Sequence, residues 1–125
     1  TAEFKKKYAL THFTVSSAND VPARDPTVWE VQGSNDGKKF TTIFSHDGKS
    51  LWDQRLQVIL FEAKKDFKKQ TTGYRFFRHV TFETASWPNG AYFQIGEIEY
   101  FGDTRFAVDP KAKLTTIWGS IKNVR

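Results

Sequence analysis

The 125-residue chain contains no cysteine and no methionine. Without thiols it can form neither disulfide staples nor thiolate metal sites, so its stability must come from packing. No apolar run approaches the roughly 20 residues that span a bilayer, and no signal-peptide pattern opens the sequence. Catalytic signatures are also missing: there is no Gly-x-Ser-x-Gly elbow, no His-Glu-x-x-His pair and no phosphate-binding glycine loop. The three histidines and scattered carboxylates form no distinctive acid–base pattern. The chain is therefore expected to hold a ligand rather than transform one, and no enzymatic role is expected. Thr1 in place of an initiator Met reads as the start of a processed or excised segment.

Aromatic residues are abundant, with twelve Phe, four Trp and four Tyr. With so little Leu and no Met, the apolar volume is aromatic and β-branched, the composition that strands prefer. A chain of this length fits one domain and can bury a substantial core. The net charge is +5, with lysines grouped at Lys5–Lys7, Lys38–Lys39, Lys64–Lys65 and Lys68–Lys69. These groups read first as solvated turns and blunted strand edges. Polyanion binding is a further reading, and nucleic acid is not an expected partner.

The periodicity predicts a strand from Phe4 to Ser17, a polar loop from Asn19 to Asp25 broken by Pro22 and Pro26, and a strand over Val28–Gln32. Asn35-Asp36-Gly37 supplies the positive-φ chemistry of a tight hairpin turn, returning through Phe40–Phe44. A turn is expected at His46–Lys49, a strand over Leu56–Phe61, and an irregular charged segment over Lys64–Thr72. Tyr74–Phe82 reads as a strand, Ser86–Gly90 as a loop, and Ala91–Phe101 as a strand ending at Gly102. Ala107–Pro110 reads as a turn and Leu114–Trp118 as one more strand. Short strands at this spacing predict an all-β sandwich or jelly roll rather than a βαβ fold.

Four segments in order carry a family resemblance over about residues 8–102. They are Ser17-Ala18-Asn19-Asp20 with Arg24-Asp25-Pro26 and Trp29, Gly33-Ser34-Asn35-Asp36-Gly37 with Phe40, Tyr74-Arg75-Phe76-Phe77-Arg78, and Gln94 through Gly102. Together they resemble the galactose-binding-like superfamily, the discoidin or coagulation-factor C-type jelly roll shared with family 32 carbohydrate-binding modules. The resemblance implies an all-β jelly-roll β-sandwich over residues 1–103, with rearranged or missing N-terminal strands. Family members carry further strands and a calcium-binding loop ahead of the position matching Tyr8. Here an echo of that loop, Ala107-Val108-Asp109-Pro110 with Thr115, Thr116 and Trp118, follows the last strand. Residues 104–125 then either complete the sandwich, as in a circular permutation, or the echo is chance and the missing strands lie elsewhere.

The same resemblance implies a non-catalytic carbohydrate-binding accessory module of a larger extracellular or cell-surface protein, with a glycan or glycoprotein as partner. Sugars present apolar C–H faces and directional hydroxyls, so a site needs both an aromatic ring and polar side chains. Trp87, in the Ser-Trp-Pro-Asn-Gly loop, is the first candidate platform and Trp52 the second; each alternatively closes the rim of the core. Arg24, Asn89 and His46 are candidate polar contacts, and Arg24 and Asp25 are expected to pair and shape their loop. Trp29 reads as core, His12 and His79 as structural, and Arg78 as stacked on neighbouring aromatics. A structural calcium is implied at Glu97 with Asp109, set against the reading of Glu97 as an ordinary edge carboxylate. The alternative function is a protein–protein interaction or architectural module packing against neighbouring domains.

Overall fold

A computed structural model describes residues 1–89 and 92–105 and the backbone of 121–123. It is all-β: β1 (Ala2–Ser16), β2 (Pro26–Ser34), β3 (Thr41–Asp47), β4 (Val58–Glu62), β5 (Tyr74–Thr84), β6 (Glu97–Asp103) and β7 (Ile121–Asn123), with one 3-10 turn at Pro22–Arg24. Among the described residues no helix is long and apolar enough to cross a membrane.

β1 organises the rest. Its first residues pair with β5, Ala2 opposite Phe77 and Tyr8 opposite Tyr74. Its second half lies between two other strands, with β4 on one side and β6 on the other. The hydrogen-bonded order is therefore β3-β2-β5-β1-β6-β7, with β4 on the remaining edge of β1. All these pairings are antiparallel. The network curls about β1 so that its two halves face one another, the arrangement of a β-sandwich.

Aromatic rings fill the space between the halves. Phe13 of β1 stacks on Phe61 of β4 at 4.9 Å and meets Phe44 of β3 at 5.5 Å. Trp29 of β2 lies 5.1 Å from Phe44 and 5.4 Å from Phe61. Phe67, in the charged segment expected to be irregular, is buried and inserts its ring 5.8 Å from Phe13. Offset and edge-on pairs of this kind each add about 1 kcal/mol beyond simple burial.

The structure changes several boundaries. β3 runs on through His46 and Asp47, because both pair with β2, and the chain reverses at Gly48 (φ 151°). The β2–β3 connection is wider than a two-residue hairpin. Ser34 Oγ accepts the N–H groups of Asp36 and Gly37, while Asp36 Oδ1 accepts those of Lys38 and Lys39. These donors, Lys39 first and then Lys38, lower the pKa of Asp36. The strand expected from Ala91 begins only at Glu97, because the preceding backbone bonds across to another loop. Gly96 donates to Ser16 O at 2.7 Å, and a Cβ on Gly96 would lie 2.6 Å from Ser17 O. The turn at Ala107–Pro110 and the strand at Leu114–Trp118 fall outside the described residues, while Ile121–Asn123 pairs with β6.

Phe13→Ala should lower unfolding free energy by about 3–5 kcal/mol, measured as a shift in denaturant midpoint at unchanged m-value.

Candidate functional site

The ends of β1, β3 and β5 and the starts of β2, β4 and β6 meet at one end of the molecule, where three loops are tied together. The tie is Asp25, fully buried at the start of β2. Arg55 grips its carboxylate with both terminal nitrogens, Nη1 to Oδ1 at 2.9 Å and Nη2 to Oδ2 at 2.6 Å. Ser50 Oγ adds a bond to Oδ2 at 3.2 Å. The main chain of Asp25 continues the linkage, its carbonyl accepting from Ala85 N at 3.0 Å. Hydrogen bonding to Asp25 also raises the pKa of Arg55, so the guanidinium stays charged. The expected Arg24–Asp25 pairing is thus corrected. Asp25 is extended (ψ 136°), and neighbours along an extended chain point to opposite sides.

Arg24 turns instead to Gln94. The backbone N–H of Gln94 donates to Arg24 O at 3.0 Å. With the side-chain amide oriented to satisfy both neighbours, Gln94 accepts from Arg24 Nη1 at 3.1 Å and donates to Asp20 Oδ1 at 3.3 Å. The result is a row of donor, bridging amide and acceptor. Beside it, Ser86 N donates to Ala23 O at 3.0 Å, and Trp87 N and Asn89 N close the turn on Thr84 O and Ser86 O. Trp87 stands 55% exposed in this turn and Tyr92 is 72% exposed in the segment leading to Gln94. Phe93 and Phe82 are also exposed aromatics of the same region.

The sequence candidates separate accordingly. Arg24, Trp87 and Asn89 belong to loops that the structure joins. Trp52 does not serve as a platform: it is 5% exposed, its Nε1 donates to Val15 O at 3.2 Å, and its ring lies 5.9 Å from Trp29. Its charged neighbours Asp53 and Arg55 suggested exposure, but the indole turns inward and satisfies its only donor on the main chain of β1. His46 is half-buried at the end of β3, with Nε2 at 2.8 Å from Lys49 O. Arg78 stacks on Phe40, its guanidinium carbon 3.7 Å from the ring centroid.

Glu97 opens β6 opposite Ser16, exposed, and Asp109 lies outside the described residues. Among the described residues no group of three or more His, Cys, Asp or Glu gathers as a metal would require. They do not supply the carboxylates of a calcium shell of six to eight oxygens.

The sequence reading did not single out Tyr92, Gln94 or Asp20, which the structure places beside Arg24 and the Trp87 turn. Asp20 was hidden in a loop motif read as architecture, and Tyr92 and Gln94 in a presumed strand. The contiguous Tyr92-Phe93 pair breaks strand alternation, and that was the available signal.

Comparison with known proteins brings one likeness. Over 100 residues, 78% of this chain is 26% identical to a peptide-N(4)-(N-acetyl-beta-glucosaminyl)asparagine amidase of Arabidopsis thaliana. The chain spans 13% of the length of that relative. No family model matches the chain. The relative is by name an enzyme, which corrects the expectation drawn from the missing catalytic signatures. Such motifs report on particular catalytic families, and their absence does not separate a chain from enzymes outside those families.

Beneath the aromatic segment lies His79. Its ring is 5.0 Å from Trp29 and 5.7 Å from Phe93, and its Nε2 has no hydrogen-bond partner among the described residues. Burial pushes its pKa down to about 4. The folded protein therefore keeps His79 neutral where the unfolded chain takes up a proton, so stability is full above pH ~6.5 and is lost as pH falls toward 4. His12 is shifted the same way by burial, partly offset by Glu62. His79→Phe should remove about 2 kcal/mol of the wild-type stability loss between pH 7.5 and 5, read from denaturant melts at each pH.

Proposed function

We propose that this chain is a carbohydrate-binding domain on a galactose-binding-like jelly roll. Its ligand would be the N-acetylglucosamine-containing core of N-linked glycans. The observation that carries the reading is the pairing of exposed Trp87 and Tyr92 with the Arg24–Gln94–Asp20 row, held on loops tied by Asp25. One ring covers the apolar face of a sugar, while the row offers a guanidinium donor, an amide and a carboxylate acceptor to its hydroxyls. Asn89, exposed on the same turn, adds an amide. The choice of N-glycan core rests on the name of the Arabidopsis relative, which acts at the N-acetylglucosaminyl–asparagine linkage.

A second reading has its own support. Val58 and Leu60 on β4, an edge strand, and Leu56 just before it are exposed large apolar residues. Such a row suits packing against a neighbouring domain of a longer polypeptide.

Isothermal titration with chitobiose-core N-glycans should show binding that Trp87→Ala and Tyr92→Ala each weaken by roughly tenfold, the equivalent of about 1.4 kcal/mol of ring stacking. Trp52→Phe should leave the affinity unchanged. Absence of binding across a glycan array, or binding indifferent to both ring deletions, would overturn the proposal.

A further inference from the structure

The opposite end of the molecule carries a different surface. Between Glu3 opposite Phe76 and Tyr8 opposite Tyr74, residues 4–7 of β1 face Arg75 alone. This bulge pushes Lys5, Lys6 and Lys7 outward, and all three are exposed. Arg75 fastens the bulge, donating Nε to Phe4 O at 3.1 Å and Nη2 to Glu3 at 3.2 Å.

The β2–β3 turn sits next to it. Asn35 donates to Gly73 O at 3.1 Å and accepts from Arg75 N at 3.2 Å. Lys38 and Lys39 project from this turn with their backbone N–H groups held by Asp36. The segment after β4 completes the surface. Lys64 has φ 75° and donates to Phe67 O at 2.6 Å, so the buried Phe67 ring anchors a turn whose lysines at 64, 65, 68 and 69 are exposed.

Several acids of this end, though exposed, bond the framework. Glu3 holds Arg75, Asp36 caps Lys38 and Lys39, and Asp66 accepts Glu62 N at 2.7 Å. Among the described residues the ion pairs are Arg55–Asp25 and Arg75–Glu3, and neither contains a lysine. Lysines 5, 6, 7, 38, 39, 64, 65, 68 and 69 outnumber Glu3, Asp36, Glu62 and Asp66, so the surface is cationic.

We propose that this end docks electrostatically on an anionic lipid surface. Nine of the exposed cations there are Lys, hydrated point charges suited to a diffuse negative plane; the guanidinium of Arg75 is committed to Phe4 O and Glu3. The large exposed apolar residues lie on β4, on β5 and on the loops at the far end, with none on the lysine-bearing loops. Phe40 is covered by Arg78. Among the described residues the surface therefore offers no free ring on which bases would stack and no wedge to enter a bilayer, which favours surface adsorption. Docking in this orientation leaves Trp87 and Tyr92 facing away from the membrane. The proposal does not depend on the glycan reading.

Co-sedimentation with phosphatidylcholine vesicles containing about one third phosphatidylserine tests this. The protein should bind these vesicles, spare pure phosphatidylcholine, and come off as salt rises from about 0.1 to 0.5 M. Lys39→Gln and Lys65→Gln should each weaken binding roughly fivefold, the effect of about 1 kcal/mol per lysine near a charged membrane. Lys49→Gln, at the other end, makes the same change in net charge and should alter binding by less than about twofold. Trp87→Ala should leave vesicle binding intact. Equal loss from Lys49→Gln would reduce the effect to net charge and overturn the proposal. So would equal binding to neutral vesicles, no vesicle binding, or tighter binding to heparin or duplex DNA than to the acidic vesicles at the same salt.

Discussion

The bonds between Arg55 and the buried Asp25 carboxylate hold one end of this protein together. A buried charge is tolerable only with its partner in place. The pair therefore fixes the loop before β2 to the loop before β4, and the Asp25 carbonyl adds the turn after β5. Of the residues proposed for sugar recognition, Asp20, Arg24, Trp87 and Asn89 stand on those segments, and Gln94 is joined to them through Arg24. Trp87 follows the turn, and the exposure of its ring means something only because the backbone beneath it has a fixed position. A site assembled from loops usually gives up rigidity; here the ion pair restores it from below.

The aromatic core supplies the complementary constraint. Trp29, Phe13, Phe44 and Phe61 meet edge-on and offset, so each ring is located by several others. That network has a weak place where His79 substitutes a polar ring for an apolar one beneath Phe93. Burial keeps the imidazole neutral. The same layer that supports the exposed aromatic segment is therefore the layer most sensitive to acid.

The strands were largely legible because alternation and turn residues are local signals. Trp29 and Val31 read as inward-facing and are fully buried. The strand assignment failed at Tyr92–Gly96, where a backbone bond to Ser16 and the close approach at Gly96 decide the path; both partners lie far away in sequence. The candidate site was half legible. Trp87 was found through its loop residues, but Trp52 was misplaced, since charged neighbours say nothing about a ring that finds a carbonyl across the core. Arg24 was singled out in the sequence but its hydrogen-bond partner was not, because Gln94 comes from a segment read as strand.

The position of β1 has a consequence for how the fold is reached. Every strand that pairs with it, β4, β5 and β6, comes later in the chain, and Val15 waits for Ile98. Nearly all of its contacts close long loops, and such topologies fold slowly because the entropy is lost before the contacts are gained. During synthesis the central strand of the sandwich emerges ahead of all its neighbours. Its first half carries Lys5, Lys6 and Lys7, charges of the kind that make a strand edge poorly suited to pairing with other chains.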